Sequence, residues 1–151
     1  MTANRLRGPG LWESAREAKR ADAATLRDLR VDYRETAPIP PLAEAMVAVD
    51  GVFERLQLCA KDGWKTPAGH PDVEPPHEAL KLREIFVELQ RTDDCKSRPE
   101  EFRRKMESAR AAAEALESLL RKGEPADAAF AVLRQSCADC HKPYRNTPSG
   151  K

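Results

Sequence analysis

The chain has 151 residues, a formal net charge of +1 and 34% charged residues. This length accommodates one domain with a real core plus a tail, and the near-zero charge does not favour nucleic acid as a partner. Aromatic residues are scarce, Ala, Leu, Glu and Arg are common, and no run of about 18 apolar residues exists, so we predict an all-α fold without a membrane span.

Residues 1–38 are expected to form a charged N-terminal segment, helical or partly disordered, ahead of the main domain. Its only apolar stripe is Leu26, Leu29 and Tyr33, so this segment lacks the material for a core of its own. Residues 1–34 also contain no apolar h-region of the kind that a secretory signal requires.

Four later segments carry apolar residues at alternating steps of three and four, which is the spacing of one face of an α-helix. The helices are expected from Pro41 to Ala60, from about Glu78 to Gln90, from Pro99 to about Lys122, and from Pro125 onwards. In chain order the apolar stripes are Leu42, Met46, Val49, Phe53, Leu56 and Ala60; Ala79, Leu82, Phe86 and Leu89; Phe102, Met106, Ala109, Ala113, Leu116 and Leu120; and Ala126, Phe130, Leu133, Cys137 and Cys140.

Four consecutive amphipathic helices with short or moderate connections favour an antiparallel up-down-up-down four-helix bundle. We expect this domain to span residues 39–146 and residues 147–151 to be a flexible tail. A Pro-rich loop over residues 66–76 joins the first two helices, and a polar turn over residues 92–97 joins the second and third. Ser97 is expected to cap the third helix, with Pro99 as its first residue.

The last helix ends in the sequence Cys137-Ala138-Asp139-Cys140-His141, and a C-x-x-C-H run is the attachment motif of c-type haem. Two thiols three positions apart on a helix can each add to one vinyl group of a single porphyrin. His141 then lies beneath the iron, where a neutral imidazole nitrogen serves as the proximal ligand. The motif therefore predicts one covalently bound haem c.

Other interpretations of the two motif cysteines stay open. They could be half of a zinc site, which needs two more ligands, or a redox dithiol, which belongs beside a βαβ pattern that this sequence lacks. They could also be a coincidence in a chain with four cysteines. The other possible zinc ligands are Cys59, Cys95, His70 and His77. An oxidising compartment favours a disulfide between Cys59 and Cys95, but they fall at opposite ends of an antiparallel helix pair, so we predict two separate thiols unless the loop from Asp62 to Pro76 crosses the bundle. We expect His70 and His77 to be surface histidines, with redox-partner contact or adventitious metal binding as the alternatives.

A C-x-x-C-H motif at the end of the last helix of such a bundle resembles the cytochrome c′ superfamily, the class II c-type cytochromes. Two local features strengthen the resemblance: Tyr144 and Arg145 follow His141, and the third helix opens with the run Arg98-Pro99-Glu100-Glu101-Phe102. By this resemblance the motif cysteines carry the thioethers, His141 is the fifth iron ligand and Arg145 lies near the haem edge. It also implies a homodimer through the outer faces of the first two helices.

Pro143 bears on the assignment of Arg145 to the haem edge, because proline disfavours helix at the preceding residue and removes a backbone donor. We therefore expect the helix to stop or kink before Arg145. If it does, Arg145 is an exposed terminal charge and does not lie at the haem edge.

In an up-down bundle the end of the fourth helix lies beside the start of the first, so Met46 is expected over the distal side of the haem. As an iron ligand it would give six-coordinate, low-spin haem suited to electron transfer. As a plain core residue it would leave a five-coordinate iron that binds NO or CO. Met106 is the backup ligand. The rest of the distal wall is expected to be Phe102, Phe86, Leu42 and Val49.

The sequence thus predicts an electron-transfer cytochrome that meets redox partner proteins outside the cytoplasm, in the periplasm. A gas-binding haem protein and a haem-free or zinc-stabilised helical interaction module are the alternatives. An enzyme is not expected, because no second acid–base constellation accompanies the motif. Since c-type attachment takes place outside the cytoplasm in bacteria, we expect an export signal beyond this sequence, or else no haem is attached.

Overall fold

The computed structural model describes residues 39–145, and the predictions for residues 1–38 and 147–151 lie outside that range. All regular secondary structure in the described part is helical and there is no strand, which confirms the all-α prediction. No helix in this part of the chain is long and apolar enough to cross a membrane. Its helices are α1 (Leu42–Lys61), α2 (Pro75–Arg91), α3 (Asp93–Ser97), α4 (Glu100–Lys122) and α5 (Asp127–Tyr144).

The short helix α3 replaces the polar turn expected between the second and third predicted helices. Its first turn is capped by the Thr92 hydroxyl, which accepts a hydrogen bond from the Cys95 backbone N–H at 3.2 Å. Ser97 does not cap α4, because its hydroxyl donates to the Asp94 carbonyl at 2.9 Å. Pro99 is the residue before α4 and not its first helical residue.

Two other helices begin at positions different from those predicted. Helix α2 starts at Pro75, and α5 starts at Asp127, two residues after the expected Pro125. Gly123 ends α4 as expected, in the left-handed conformation with φ of 69°.

The predicted inner faces of α2 and α4 are all buried, but the buried stripe of α1 is rotated from the prediction. Its fully buried residues are Ala45, Val49, Val52, Leu56 and Cys59. Four residues expected on the inner face lie instead along one flank, partly buried and packed against the core. These residues are Leu42, Met46, Phe53 and Ala60.

Helix α2 packs against both α1 and α4, and α4 packs against α5. The α2–α4 pair is antiparallel, since Arg83 forms an ion pair with Glu117 at 2.9 Å while the later Gln90 donates to the earlier Glu107 at 3.1 Å. One ion pair and one hydrogen bond therefore mark the register of the two helices.

Aromatic contacts join α1 to α5. The Phe53 ring stacks on Phe130 with centroids 5.2 Å apart, and Trp64 meets the same ring edge-on at 5.3 Å. The Trp64 indole N–H also donates to the Asp127 carboxylate at 3.2 Å. The end of α1 therefore lies at the start of α5.

Candidate functional site

The cysteines and histidine of the motif occupy the last turns of α5. Cys137 and Cys140 are half-buried and pack against the core, whereas His141 is exposed. On a helix with about 3.6 residues per turn, the two cysteines lie about 60° apart, and His141 lies about 40° beyond Cys137 on the other side. The two sulfurs thus point toward the interior, and the imidazole stands at the rim.

Burial raises the pKa of both motif thiols. Around Cys140 the cations of Lys105 and Arg98 oppose this effect, but the pKa of that thiol still lies above its ordinary value. Burial thus favours the neutral form of both thiols.

The helix continues through Lys142 and Pro143, so Pro143 does not stop it there, but it ends at Tyr144, before Arg145, as expected. The Arg145 backbone N–H donates to the His141 carbonyl at 3.0 Å, which closes the last turn. The Tyr144 ring meets Phe102 of α4 edge-on at 5.2 Å, and this contact holds the turn in place. Arg145 is exposed immediately after the helix.

The contact between Phe53 and Phe130 sets the register of α1 against α5. Met46 lies seven residues before Phe53 on α1, and Cys137 lies seven residues after Phe130 on α5. Each step is about 10 Å along its helix. In an antiparallel pair with this register, Met46 would stand level with the first motif cysteine. Leu42 lies one turn earlier on the same flank, and Val49 is buried behind it.

Helix α4 forms a second side of the region around the motif. Its contact between Phe102 and Tyr144 sets the register of α4 against α5 and brings Met106 level with Cys140. Phe102 and Met106 are each 3% exposed. Two methionines thus stand at the level of the motif, one on each neighbouring helix.

Phe86 is buried farther from the motif, on α2. It lies between Arg83 and Gln90, whose partners on α4 are Glu117 and Glu107. Phe86 is therefore level with the middle of α4, so it belongs to the general core more than to the wall around the motif.

Arg98 is a neighbour of the site whose role the sequence analysis missed. Its side chain is 10% exposed, and its guanidinium lies 4.8 Å from the centre of the Phe102 ring. It also forms two hydrogen bonds to the Asp94 carboxylate, at 3.1 and 3.2 Å. The four-residue spacing of Asp94 and Arg98 suits an ion pair on a helix and is the one sign of this contact in the sequence. It was overlooked because residues 92–97 were predicted to form a turn.

Of the remaining candidate ligands, Cys95 lies close enough to Cys140 to raise the pKa of its thiol. Among residues 39–145 no group of three or more His, Cys, Asp and Glu side chains is arranged to hold a metal ion. His70 and His77 are exposed, while Cys59 and Cys95 are free, buried thiols whose pKa is raised by burial. A zinc site therefore lacks its other ligands in the described part of the chain.

No protein-family model, curated protein or solved structure matches this chain. The chemistry of the donor set is nevertheless suited to haem c. Two uncharged thiols face inward beside each other, and an accessible imidazole follows on the same helix. Haem iron needs only one or two protein ligands, because the porphyrin supplies the other four, so a cluster of three ligands is not required.

Proposed function

We propose that this protein is a c-type cytochrome similar to the cytochrome c′ superfamily, with one covalent haem that transfers electrons outside the cytoplasm. The observation that carries the proposal is the placement of Cys137, Cys140 and His141. They lie on one helix, with both thiols against an apolar core and the imidazole beside them. Haem attached there would have one face toward the core and one edge toward solvent.

We infer that α1, α2, α4 and α5 form an antiparallel four-helix bundle around this group. The polar contacts between α2 and α4 support an antiparallel pair, as do the ring contacts at either end of α5. The helix neighbours in space, α1 with α2, α2 with α4 and α4 with α5, follow the order of the chain.

In this proposal we assign a role to each of six residues at the site. Cys137 and Cys140 hold the haem by thioether bonds, and His141 is the protein ligand on the proximal side. Leu42, Met46 and the Phe102 ring keep water from the other side. The haem supplies one-electron redox chemistry when bound, and the axial ligands and the apolar surroundings tune its potential.

Space for a flat ring would come from the flank of α1. Leu42 and Met46 are only partly buried, as are the motif cysteines. Moving such side chains exposes little additional apolar surface, whereas opening the centre of the core at Leu56 or Leu116, both 0% exposed, would be far more costly. The edge between α1 and α5 is thus the part of the domain that can admit a haem.

The experiment is expression of the chain with an export signal in bacteria that carry a c-type haem attachment system. We expect a red protein whose haem remains with the polypeptide after extraction with acidified acetone, and whose mass exceeds that of the chain by one haem. Colourless protein, or haem that the solvent removes, would disprove the proposal.

Matched cysteine variants make the test specific. Cys137→Ala and Cys140→Ala should each leave one thioether at most, and the double variant should lose covalent haem entirely. Cys59→Ala removes a buried free thiol near the far end of α1 and should retain full haem content. Equal loss of haem in all variants would point to misfolding and not to attachment at the motif.

A further inference from the structure

Cys95 of α3 lies close to Cys140 of α5. Arg98, one turn after Cys95, packs its guanidinium on the Phe102 ring at 4.8 Å, and the same ring meets Tyr144 edge-on at 5.2 Å. Tyr144 is one turn after Cys140, on the same side of α5. Both thiols also belong to the one apolar core. Burial raises the pKa of each thiol, and the charge of Arg98 opposes that rise at both, so the two thiols share a cationic neighbour.

The other buried thiol outside the motif, Cys59, lies near the opposite end of α5. Its carbonyl accepts a hydrogen bond from the Trp64 backbone N–H at 2.7 Å, and the Trp64 ring meets Phe130 edge-on at 5.3 Å. Phe130 precedes Cys140 by ten residues, about 15 Å along the helix. A disulfide needs Cα atoms within about 7 Å of each other, so Cys59 is out of reach of Cys140.

Cys137 is the remaining possible partner of Cys140, but the helix holds these two residues apart. Side chains three positions apart on an α-helix have Cβ atoms about 5–6 Å apart, whereas a disulfide requires about 3.5–4.5 Å. Helix α5 is continuous through both residues. A bond between Cys137 and Cys140 would therefore distort the helix, whereas Cys95 approaches Cys140 from a different element.

Helix α3 can move more readily than the long helices on either side of the motif. It has five residues, fewer than a helix needs to be stable by itself, and Cys95 is its only buried residue. It is held by the cap from Thr92 at 3.2 Å and by the hydrogen bonds between Asp94 and Arg98 at 3.1 and 3.2 Å. Any movement needed to join the two sulfurs therefore falls on α3 and leaves α4 and α5 in place.

We propose that Cys95 and Cys140 form a disulfide in the haem-free protein under oxidising conditions, and that this bond withholds Cys140 from haem until it is reduced. The bond follows from the placement of the two thiols, whereas the withholding rests on the proposed function. A thioether forms when a thiol S–H adds across a vinyl group, and a sulfur bound to another sulfur has no hydrogen to add. The compartment proposed for this protein is one in which disulfides form and persist.

The oxidant is a second disulfide, of a small molecule or a protein, and the exchange takes two steps. The half-buried Cys140 sulfur attacks one sulfur of the oxidant, and the other leaves as a thiol with the proton that Cys140 gives up. The Cys95 sulfur, on a residue that is 2% exposed, then attacks the Cys140 sulfur, and the second half of the oxidant leaves as a thiol in the same way. The two protein thiols lose two electrons, which the oxidant gains.

The first test maps the disulfides of the folded, haem-free chain in a buffer of oxidised and reduced glutathione. Free thiols are blocked with N-ethylmaleimide, and cleavage on the N-terminal side of Asp139 separates Cys137 from Cys140 for mass spectrometry. We expect Cys140 to be linked to Cys95 at least about tenfold more often than to Cys137, with Cys59 free. A predominant bond between the motif cysteines, or no protein disulfide, would overturn the inference.

Two controls connect the bond to the fold. In concentrated urea the chain is unfolded and the shorter loop closes at lower entropic cost, so the bond between Cys137 and Cys140 should predominate. The same preference for Cys95 with and without urea would show that the fold does not direct the pairing and would contradict the inference. Cys59→Ala should leave the yield of the Cys95–Cys140 bond unchanged.

The second test measures the withholding. Cys95→Ala and Cys59→Ala are expressed with an export signal in bacteria that attach c-type haem but lack their periplasmic thiol-reducing pathway. We expect Cys95→Ala to carry at least about twofold more haem bound through both motif cysteines than the unaltered chain, and Cys59→Ala to match the unaltered chain. Equal haem in all three would refute the withholding. Urea unfolding shows whether Cys95→Ala folds, and Cys95→Ser replaces it if it does not.

The disulfide and the haem can fail separately. Colourless protein that forms the Cys95–Cys140 bond contradicts the haem, and with it the withholding, but leaves the bond in place. Coloured protein whose haem-free form keeps Cys95 as a free thiol in the glutathione buffer contradicts only the disulfide.

Discussion

Met46 and Met106 are the two side chains on which the coordination of the proposed haem depends. In an antiparallel bundle both would be level with the motif, but Met46 is partly buried, whereas Met106 is 3% exposed inside the core. A thioether that binds iron must approach it along a path that the core does not already fill. We therefore favour Met46 as the ligand and assign Met106 to packing.

Met46→Ala should convert a low-spin haem into a high-spin haem that binds CO, because the distal position is then open. Met106→Ala should keep the low-spin spectrum while lowering the free energy of unfolding by about 2–5 kcal/mol. Visible spectra with and without CO, together with urea unfolding, measure both effects. Unchanged spin state in Met46→Ala would remove the ligand assignment, and CO binding by the unaltered protein would favour the gas-binding alternative.

Glu78 is a buried carboxylate on α2 with a structural task. It is 1% exposed and accepts hydrogen bonds from Arg55 at 2.7 Å and from Lys81 at 2.6 Å. Although burial raises the pKa of the Glu78 carboxyl, the hydrogen bonds and charges of these two cations outweigh it, and the pKa lies below its ordinary value. The ionised form thus stabilises the fold.

Glu78→Gln should lower the free energy of unfolding at pH 7 by about 1–3 kcal/mol, because the amide loses the charge that both cations require. Since the folded pKa is lowered, the stabilisation is complete above about pH 4.3, the unfolded value, and is lost as pH falls through the folded pKa. Urea unfolding between pH 3 and 7 tests this. Glu88→Gln, an exposed pair with Arg91, should change little at any pH; an equally large effect there would contradict the argument.

At the scale of whole helices, α5 depends on α4 for its last turn. Pro143 removes one backbone donor from the helix, and the contact between Tyr144 and Phe102 compensates by packing. The same contact sets which residues of α4 stand level with the motif. The geometry of the site is therefore a property of this pair of helices.

Phe102→Leu should loosen the end of α5 selectively. Phe86→Leu, the same change at an equally buried position near the middle of the bundle, is the matched control. Both should lower the free energy of unfolding by about 1–2 kcal/mol. Only Phe102→Leu should accelerate hydrogen exchange of the amides in residues 141–145 in the native state, and equal protection in both variants would refute the role of this contact.

Helix α4 ends at Gly123 because the chain reverses there in a conformation that other residues rarely adopt. Gly123→Ala should lower the free energy of unfolding by about 1 kcal/mol, since its φ of 69° disfavours a Cβ although the surrounding space is open. Gly69→Ala, in an open loop without a positive φ, should be neutral or slightly stabilising. The midpoints of urea unfolding compare the two.

For the whole molecule, the proposed haem would add apolar contact at the end of the bundle where Leu42, Met46 and the motif cysteines remain partly buried. Protein with attached haem should therefore unfold at a temperature about 10 °C or more above that of the haem-free chain. EDTA should not change either midpoint, because the described residues hold no three-ligand metal site. A fall in the midpoint with EDTA would support a metal-stabilised module instead.

Local periodicity and motif spacing were sufficient for much of this protein. The apolar spacing in the sequence predicted the buried residues of α2 and α4 correctly, since each of these helices contacts its neighbours on one well-defined face. The motif at residues 137–141 and the glycine at the end of α4 are equally local features. The short helix α3 was missed because its cap, the Thr92 hydroxyl, competes with turn conformations that use the same residues.

Local patterns in the sequence were enough to predict that the chain is helical, where its long helices lie, and that two cysteines and a histidine share one turn of the last helix. Three features came from the three-dimensional contacts alone: which flank of α1 touches α5, that Phe86 lies farther from the motif than Phe102, and that Arg98 packs on Phe102. The physical reason is that helical spacing is set by neighbours along the chain. The rotation and level of one helix against another are set by contacts between residues far apart in sequence, such as Phe53 with Phe130.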